Sequence, residues 1–232
     1  MKTEHILWRL GASLIIFVFV AASYAQEGKV SEIIEKGIGQ YKHENYDEAE
    51  ITLKQARKEN PKSTLAAYYL GLTYKQMQNY KKAVKNLRDA VTYSPKIKGA
   101  LIELIDSLYQ IGKLDEAKKW IIEAENEGIR PAQTAFLKGL VLLKDEDTQG
   151  SIAAFENAKE LDKSMTQACD YQIGMASLKA RKYSDARRAF EQVVIEDPSS
   201  YMANFAGEYM DAIEKKEKAA KPLKLSFGVA WQ

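Results

Sequence analysis

"GLTYKQMQNYKKA", residues 71–83, places Gly71 inside a run that otherwise reads as helix. A glycine in a helix interior costs about 1 kcal/mol relative to alanine, so the fold has to use the missing side chain. Extended both ways, the stretch becomes "LAAYYLGLTYKQMQNYKKAVKNLRDAVTYSP", in which Leu70 and Gly71 are followed by Tyr74, Tyr80, Ala83, Leu87, Ala90 and Pro95.

The same offsets recur along the chain. A shift back by 34 residues gives Gly37, Tyr46, Ala49, Leu53, Ala56 and Pro61. A shift forward by 34 gives Leu104, Leu108, Leu114, Ala117, Ile121 and Ala124, with Ile105 in place of the glycine. The next gives Gly139, Leu142, Ser151, Phe155 and Ala158; after one extra residue come Gly174, Tyr183, Ala186, Phe190 and Pro198. This period and pattern resemble the tetratricopeptide repeat family, whose unit is a helix–turn–helix with small residues at fixed places. The resemblance covers roughly residues 30–199 as about five repeats. Ile105 and Lys138 depart from the Leu-Gly pair in the third and fourth units, Lys163 replaces the closing proline of the fourth, and Pro131 comes two places late in the third.

The fold class expected is all-α, a right-handed superhelical solenoid of helix–turn–helix repeats. In each unit the glycine of the first helix and the small residue opening the second (Gly37 and Ala49, Gly71 and Ala83, Ala117, Gly139, Gly174 and Ala186) let two backbones approach. Leu70, Tyr74, Tyr80 and Leu87 fill the space around that contact, and Pro95 cannot continue the hydrogen-bond ladder of the second helix. A single pair cannot bury its apolar face alone, so stability is a sum over stacked neighbours. After Pro198, Met202, Phe205, Ala206, Tyr209, Met210 and Ile213 form one apolar stripe at helical spacing. Residues 200–220 read as a capping helix, with Ser199 or Ser200 as its N-cap.

Composition agrees with a globular protein: 232 residues, 46% hydrophobic and 28% charged, with a formal charge of +2 and no basic block that would mark a nucleic-acid surface. The first 25 residues differ from the rest. Lys2 and Arg9 precede the apolar run "LGASLIIFVFVAAS", and Ser23 and Ala25 are small residues placed as at a cleavage site. Residues 1–25 therefore read as a signal peptide for export to the periplasm of a Gram-negative type of cell. The same run also has an uncleaved-anchor reading, although it is shorter than the roughly 20 residues needed to span a bilayer. Cys169 is the only cysteine, so no internal disulfide forms; a small buried apolar residue is the plain reading of it, and a reactive thiol the other. Beyond Pro222 the period changes to strict alternation in "LKLSFGVAWQ", with Leu223, Leu225, Phe227, Val229 and Trp231 on one side. Residues 221–232 have two readings. One is the first strand of an outer-membrane β-barrel, which ten alternating residues suit; the other is a tail folded back on the last helix.

No catalytic set, metal site or cofactor is indicated. His43 is the one histidine beyond the export segment, and with a single distant cysteine it supplies too few parts for a triad or a His/Cys metal centre. "GIGQY" at 37–41 lies inside a repeat helix and is no phosphate loop. The resemblance implies instead that the first helices line a concave surface. The places it leaves open there hold Ile34, Ile38 and Tyr41, then Tyr68 and Leu72, Ile102 and Tyr109, Phe136 and Leu140 with Leu143, and Tyr171 and Met175 with Leu178. Lys42, Lys75, Asp106, Lys144 and Lys179 supply sparse charge. Ile34 and Ile38 stand where some repeat domains hold lysine and asparagine to clamp a C-terminal carboxylate, so that clamp is not indicated. The expected partner is a protein segment, apolar and extended or an amphipathic helix, held by aromatic anchors. The competing reading of the same side chains is burial between neighbouring helices.

Overall fold

In the computed structural model, residues 28–220 are described. Residues 1–25, read from sequence as a signal peptide, and the alternating tail 221–232 lie outside the described residues. Eleven α-helices and one short 3₁₀ turn make up the ordered elements among them, with no strand. They form two compact units that divide between Lys113 and Leu114.

The first unit holds α1 (28–42), α2 (Tyr46–Glu59), α3 (Thr64–Gln76), α4 (Tyr80–Thr92) and α5 (Ala100–Gln110). The second holds α6 (Leu114–Asn126), α7 (Pro131–Lys144), α8 (Thr148–Leu161), α9 (Thr166–Lys179), α10 (Tyr183–Glu196) and α11 (Tyr201–Ala220), with the 3₁₀ turn Lys163–Met165 ahead of α9. Helices adjacent in sequence pack on one another within each unit.

The glycines act as notches. A Cβ built on Gly71 would lie 2.7 Å from Leu87 Cγ and 3.3 Å from the Leu87 backbone nitrogen. On Gly37 it would lie 2.7 Å from Leu53 Cγ, on Gly139 2.5 Å from Phe155 Cε1 and on Gly174 2.5 Å from Phe190 Cε1. Leu53, Leu87, Phe155 and Phe190 are all fully buried. The side chain that enters each notch therefore comes sixteen residues later, from the middle of the second helix. Ala49, Ala83 and Ala186, one turn earlier on those helices, are fully buried themselves. In the third repeat the glycine position holds Ile105, itself fully buried, and Ala117 is fully buried as well.

The turn inside each pair has one geometry. The residues two places past the first helix, Glu44, Gln78, Glu146 and Arg181, have φ of 62°, 55°, 70° and 59°, and Gly112 has 73°. The following amide reaches back five residues in every case: Asn45 to Gln40, Asn79 to Tyr74, Lys113 to Leu108, Asp147 to Leu142 and Lys182 to Ser177, at 2.8–2.9 Å. With the accompanying three-residue bonds, such as Gln78 N–H to Lys75 O at 2.9 Å, this is a Schellman ending, which satisfies carbonyls that the helix leaves open. Asn79 and Asp147 then accept the Lys82 and Gly150 amides and start the second helices. Ser200 does the same for α11, its Oγ accepting from Ala203 N at 3.0 Å. The Gln167 amide group of α9 donates to Val193 O at 2.9 Å and to Ser200 Oγ at 2.7 Å, tying the α10–α11 connection down.

Candidate functional site: the first-helix faces

In the first unit the face is set by α1, α3 and α5. Tyr68 and Tyr69 are consecutive on α3, and their rings meet edge to face at 5.3 Å; Tyr69 also meets Tyr41 of α1 at 5.7 Å. Aromatic pairs in this geometry add about 0.5–1.5 kcal/mol beyond their buried area, so the tyrosines hold one another in place. Tyr68, Leu72 and Tyr109 are half-buried. Burial first, and then the charge of Asp106, raises the Tyr109 hydroxyl above its ordinary value. Ile34, Ile38 and Ile102 are at most 8% exposed: these three positions of the expected surface belong to the core between helices.

The charge on this face is already committed. Lys75 of α3 reaches Glu103 and Asp106 of α5, both at 2.6 Å. Burial works to lower the Lys75 pKa, but the bonds from Asp106 and Glu103 together outweigh it and hold the ammonium charged. The lysine margin that the sequence offered to a partner is, at Lys75, a strut between first helices. Lys179 of α9 plays the same part in the second unit, donating to the Leu143 carbonyl of α7 at 3.1 Å.

In the second unit α7, α9 and α11 carry the face. Phe136, Leu140 and Leu143 of α7 pack against a core that contains Phe155 and Ile173, and the Phe136 ring meets Phe155 at 5.4 Å. Tyr171, Met175 and Leu178 of α9 join Met202, Tyr209 and Met210 of α11 around Phe190 and Ile213. Tyr209 stacks on Phe190 with centroids 5.3 Å apart and planes at 12°, and meets Tyr171 at 6.4 Å. All these side chains outside the core are half-buried. The apolar stripe of α11 by itself marks no more than a cap. Its Tyr209 and Met210 lie one repeat length beyond Met175, a spacing that marks α11 as a further first helix.

His43 is exposed, its Nδ1 2.7 Å from the Gly39 carbonyl oxygen. Cys169 is fully buried, and burial, with the neighbouring Asp170 charge, pushes its thiol up to about 11. Such a thiol is not a nucleophile at neutral pH. Among the described residues, no group of three or more His, Cys, Asp or Glu side chains could hold a metal ion, and no helix is long and apolar enough to cross a membrane.

Tetratricopeptide repeat models match residues 34–76, 66–97 and 171–221, the last running through α11. The chain thus carries tetratricopeptide repeats. No curated protein matches the sequence. Solved structures similar to it include the pilF protein of Pseudomonas aeruginosa, at 20% identity over 84% of this chain and 89% of that one, with a TM-score of 0.64. A thermophilic repeat protein of Thermus thermophilus is 19% identical over 80% of this chain and 99% of its own, with a TM-score of 0.59. PilW, described as a widely conserved type IV pilus biogenesis factor, is 14% identical over 82% and 93%, with a TM-score of 0.65. At these identities the likeness is one of fold.

Proposed function

We propose that these repeats form a non-catalytic scaffold that binds an apolar segment of another protein, extended or as an amphipathic helix, on the first-helix faces. One observation carries the reading. Neighbouring first helices line up half-exposed aromatic, leucine and methionine side chains, already held in position by ring contacts and lysine struts. Preorganised aromatic anchors of this kind lose little side-chain freedom on binding, which is what makes them effective at interfaces. Tyr68, Leu72, Tyr109, Phe136, Leu140, Tyr171 and Met175 are the proposed contacts, with Tyr209 and Met210 added from α11. Buried Ile102 supports them from below. No cofactor, metal or nucleic acid enters this reading.

The leader-like residues 1–25 support export and work in the periplasm. The alternation of residues 221–232 supports a second reading, in which the repeats are the periplasmic front end of an outer-membrane barrel and recruit cargo or assembly partners for it.

A photo-crosslinking side chain placed at Tyr68 or Tyr171, and in a control at Lys85 on the exposed side of α4, tests the assignment in the exporting cell. Defined crosslinked products are expected from the first two positions alone. With the crosslinker at Tyr171 they should vanish in a Tyr68→Ala, Tyr109→Ala, Phe136→Ala variant that keeps its helical content. Products from Lys85 alone would refute the reading.

A further inference from the structure

The outer side of α8, α9 and α10 differs from the corresponding part of the preceding pair. Three places past the repeat glycine position stand Tyr74, Leu108 and Leu142, then Ser177 in the fifth pair; six places past it stand Met77, Ile111 and Asp145, then Ala180. Where Leu142 is retained, the recess over α6 and α7 is ≈ 260 Å³. Where Ser177 and Ala180 stand, a groove of ≈ 650 Å³ opens, floored by α9 and walled by α8 and α10. That lies within the size range of small-ligand sites.

A charge is set in its floor. Asp170 occupies the place held by Ala67, Leu101 and Ala135 in earlier first helices, and it is 4% exposed. Its Oδ1 accepts from Lys159 Nζ at 2.7 Å, and the same ammonium lies 3.1 Å from Glu156. Two carboxylates therefore share one cation. Burial raises the Asp170 carboxyl above its ordinary value even against the Lys159 bond. At the other end of the groove stand the exposed Lys182 and Arg188, which is closed on Asp185 at 2.6 Å with both side chains about half exposed or more, where water screens these charges. The buried carboxylate dominates, and Ile152, Ile173 and Ala189 supply apolar wall beside it.

We propose that this groove is a second binding site, independent of the first-helix faces, for a primary ammonium or guanidinium group carried on an apolar stem. The cation seats on Asp170 and supplies the second positive charge for Asp170 and Glu156; the stem lies along Ile152, Ile173 and Ala189. From Asp170 to Ser177 the floor runs about 10 Å at the helical rise, long enough for a lysine-like or arginine-like stem.

The test titrates the purified full-length chain with hexylammonium, with acetyl-Leu-Lys-Leu-amide as the peptide-borne form of the group, and with hexanoate as the charge-reversed probe. Amide correlation spectra locate binding. Saturable shifts at Asp170, Ile173 and Ser177 are expected with the cations and not with hexanoate; whichever cation binds tighter identifies a free amine or a protein side chain as the source. Asp170→Asn should weaken binding about tenfold or more, the loss of one charged hydrogen bond. Ser177→Leu installs the residue that the third and fourth repeats carry at this place, so it should fold normally and abolish the shifts. Equal shifts with hexanoate, unchanged binding in Ser177→Leu, or no shifts with either cation would overturn the proposal.

Discussion

Replacing Gly71 by alanine sets two known quantities against each other. In an open helix the exchange stabilises by about 1 kcal/mol, from backbone entropy. At Gly71 the new methyl would lie 2.7 Å from Leu87 Cγ and 2.8 Å from Cδ2. Leu87 is fully buried, and the contact falls on its branch point, so no rotation of a free end relieves it. Overpacking of this kind costs about 1–3 kcal/mol, and the net expectation is a loss of roughly 0–2 kcal/mol after the helical gain. The two contributions separate in a double-mutant cycle. Leu87→Ala alone should cost about 2–5 kcal/mol through the cavity it leaves. In that background Gly71→Ala should become stabilising by about 1 kcal/mol, because the clash is gone. Urea unfolding followed by circular dichroism measures all four proteins. Gly39 and Gly207 are the controls: both are helical with no atom within 4 Å of a built Cβ, and alanine at either should stabilise by about 1 kcal/mol. A cycle additive to within about 0.5 kcal/mol, or a Gly71→Ala protein as much improved as the Gly39→Ala protein, would refute the notch as the reason for the glycine.

Other perturbations follow from the same geometry. Gly112 sits at φ 73° with open space around it, so Gly112→Ala should cost about 1 kcal/mol from backbone strain alone, read as a lowered urea midpoint. Lys159→Val should destabilise by about 3–5 kcal/mol by leaving the Asp170 carboxylate buried without its cation. The double change Lys159→Val, Asp170→Leu copies Val91 and Leu101 from the second and third repeats, and should recover wild-type stability or exceed it by about 1–4 kcal/mol. Tyr74 donates to Glu50 at 2.9 Å; burial first, and then that bond, raises its hydroxyl pKa. Its neutral form therefore contributes stability that is complete below the unfolded value near pH ~10 and lost as pH rises beyond it. Tyr74→Phe should cost about 1 kcal/mol at neutral pH and flatten the alkaline loss of stability in pH-dependent melts.

The period of small residues made the helix pairs legible because packing repeats with the backbone: each glycine and each buried alanine answers a neighbour of the same kind one repeat away. It placed Leu87 among the side chains around the glycine but did not single it out as the one that enters the notch. Ala83 and Leu87 share a face of α4, and only the crossing of the two helices brings Leu87 into the notch. The face for a partner was legible as a stripe but not residue by residue. Ile102 and Tyr68 occupy the same kind of position in the pattern; Ile102 is buried, while Tyr68 reaches far enough to stay half-exposed. The Lys75 strut was hidden for a related reason, since Lys75 and its acidic partners stand 28 and 31 residues apart and meet only because α3 and α5 lie side by side.

Sequence by itself indicated helix pairs over residues 30–199 and one further helix over 200–220, where the turns fall, and which side of each helix is apolar. These follow from local chemistry: propensity, periodicity and two chain reversals in every 34 or 35 residues. Tertiary structure alone decided that the lysines brace neighbours and that Ser177 and Ala180 open a groove over a buried carboxylate. Burial, ion pairing and empty volume depend on the sizes and charges of groups far apart in sequence, which a repeat period leaves free to vary.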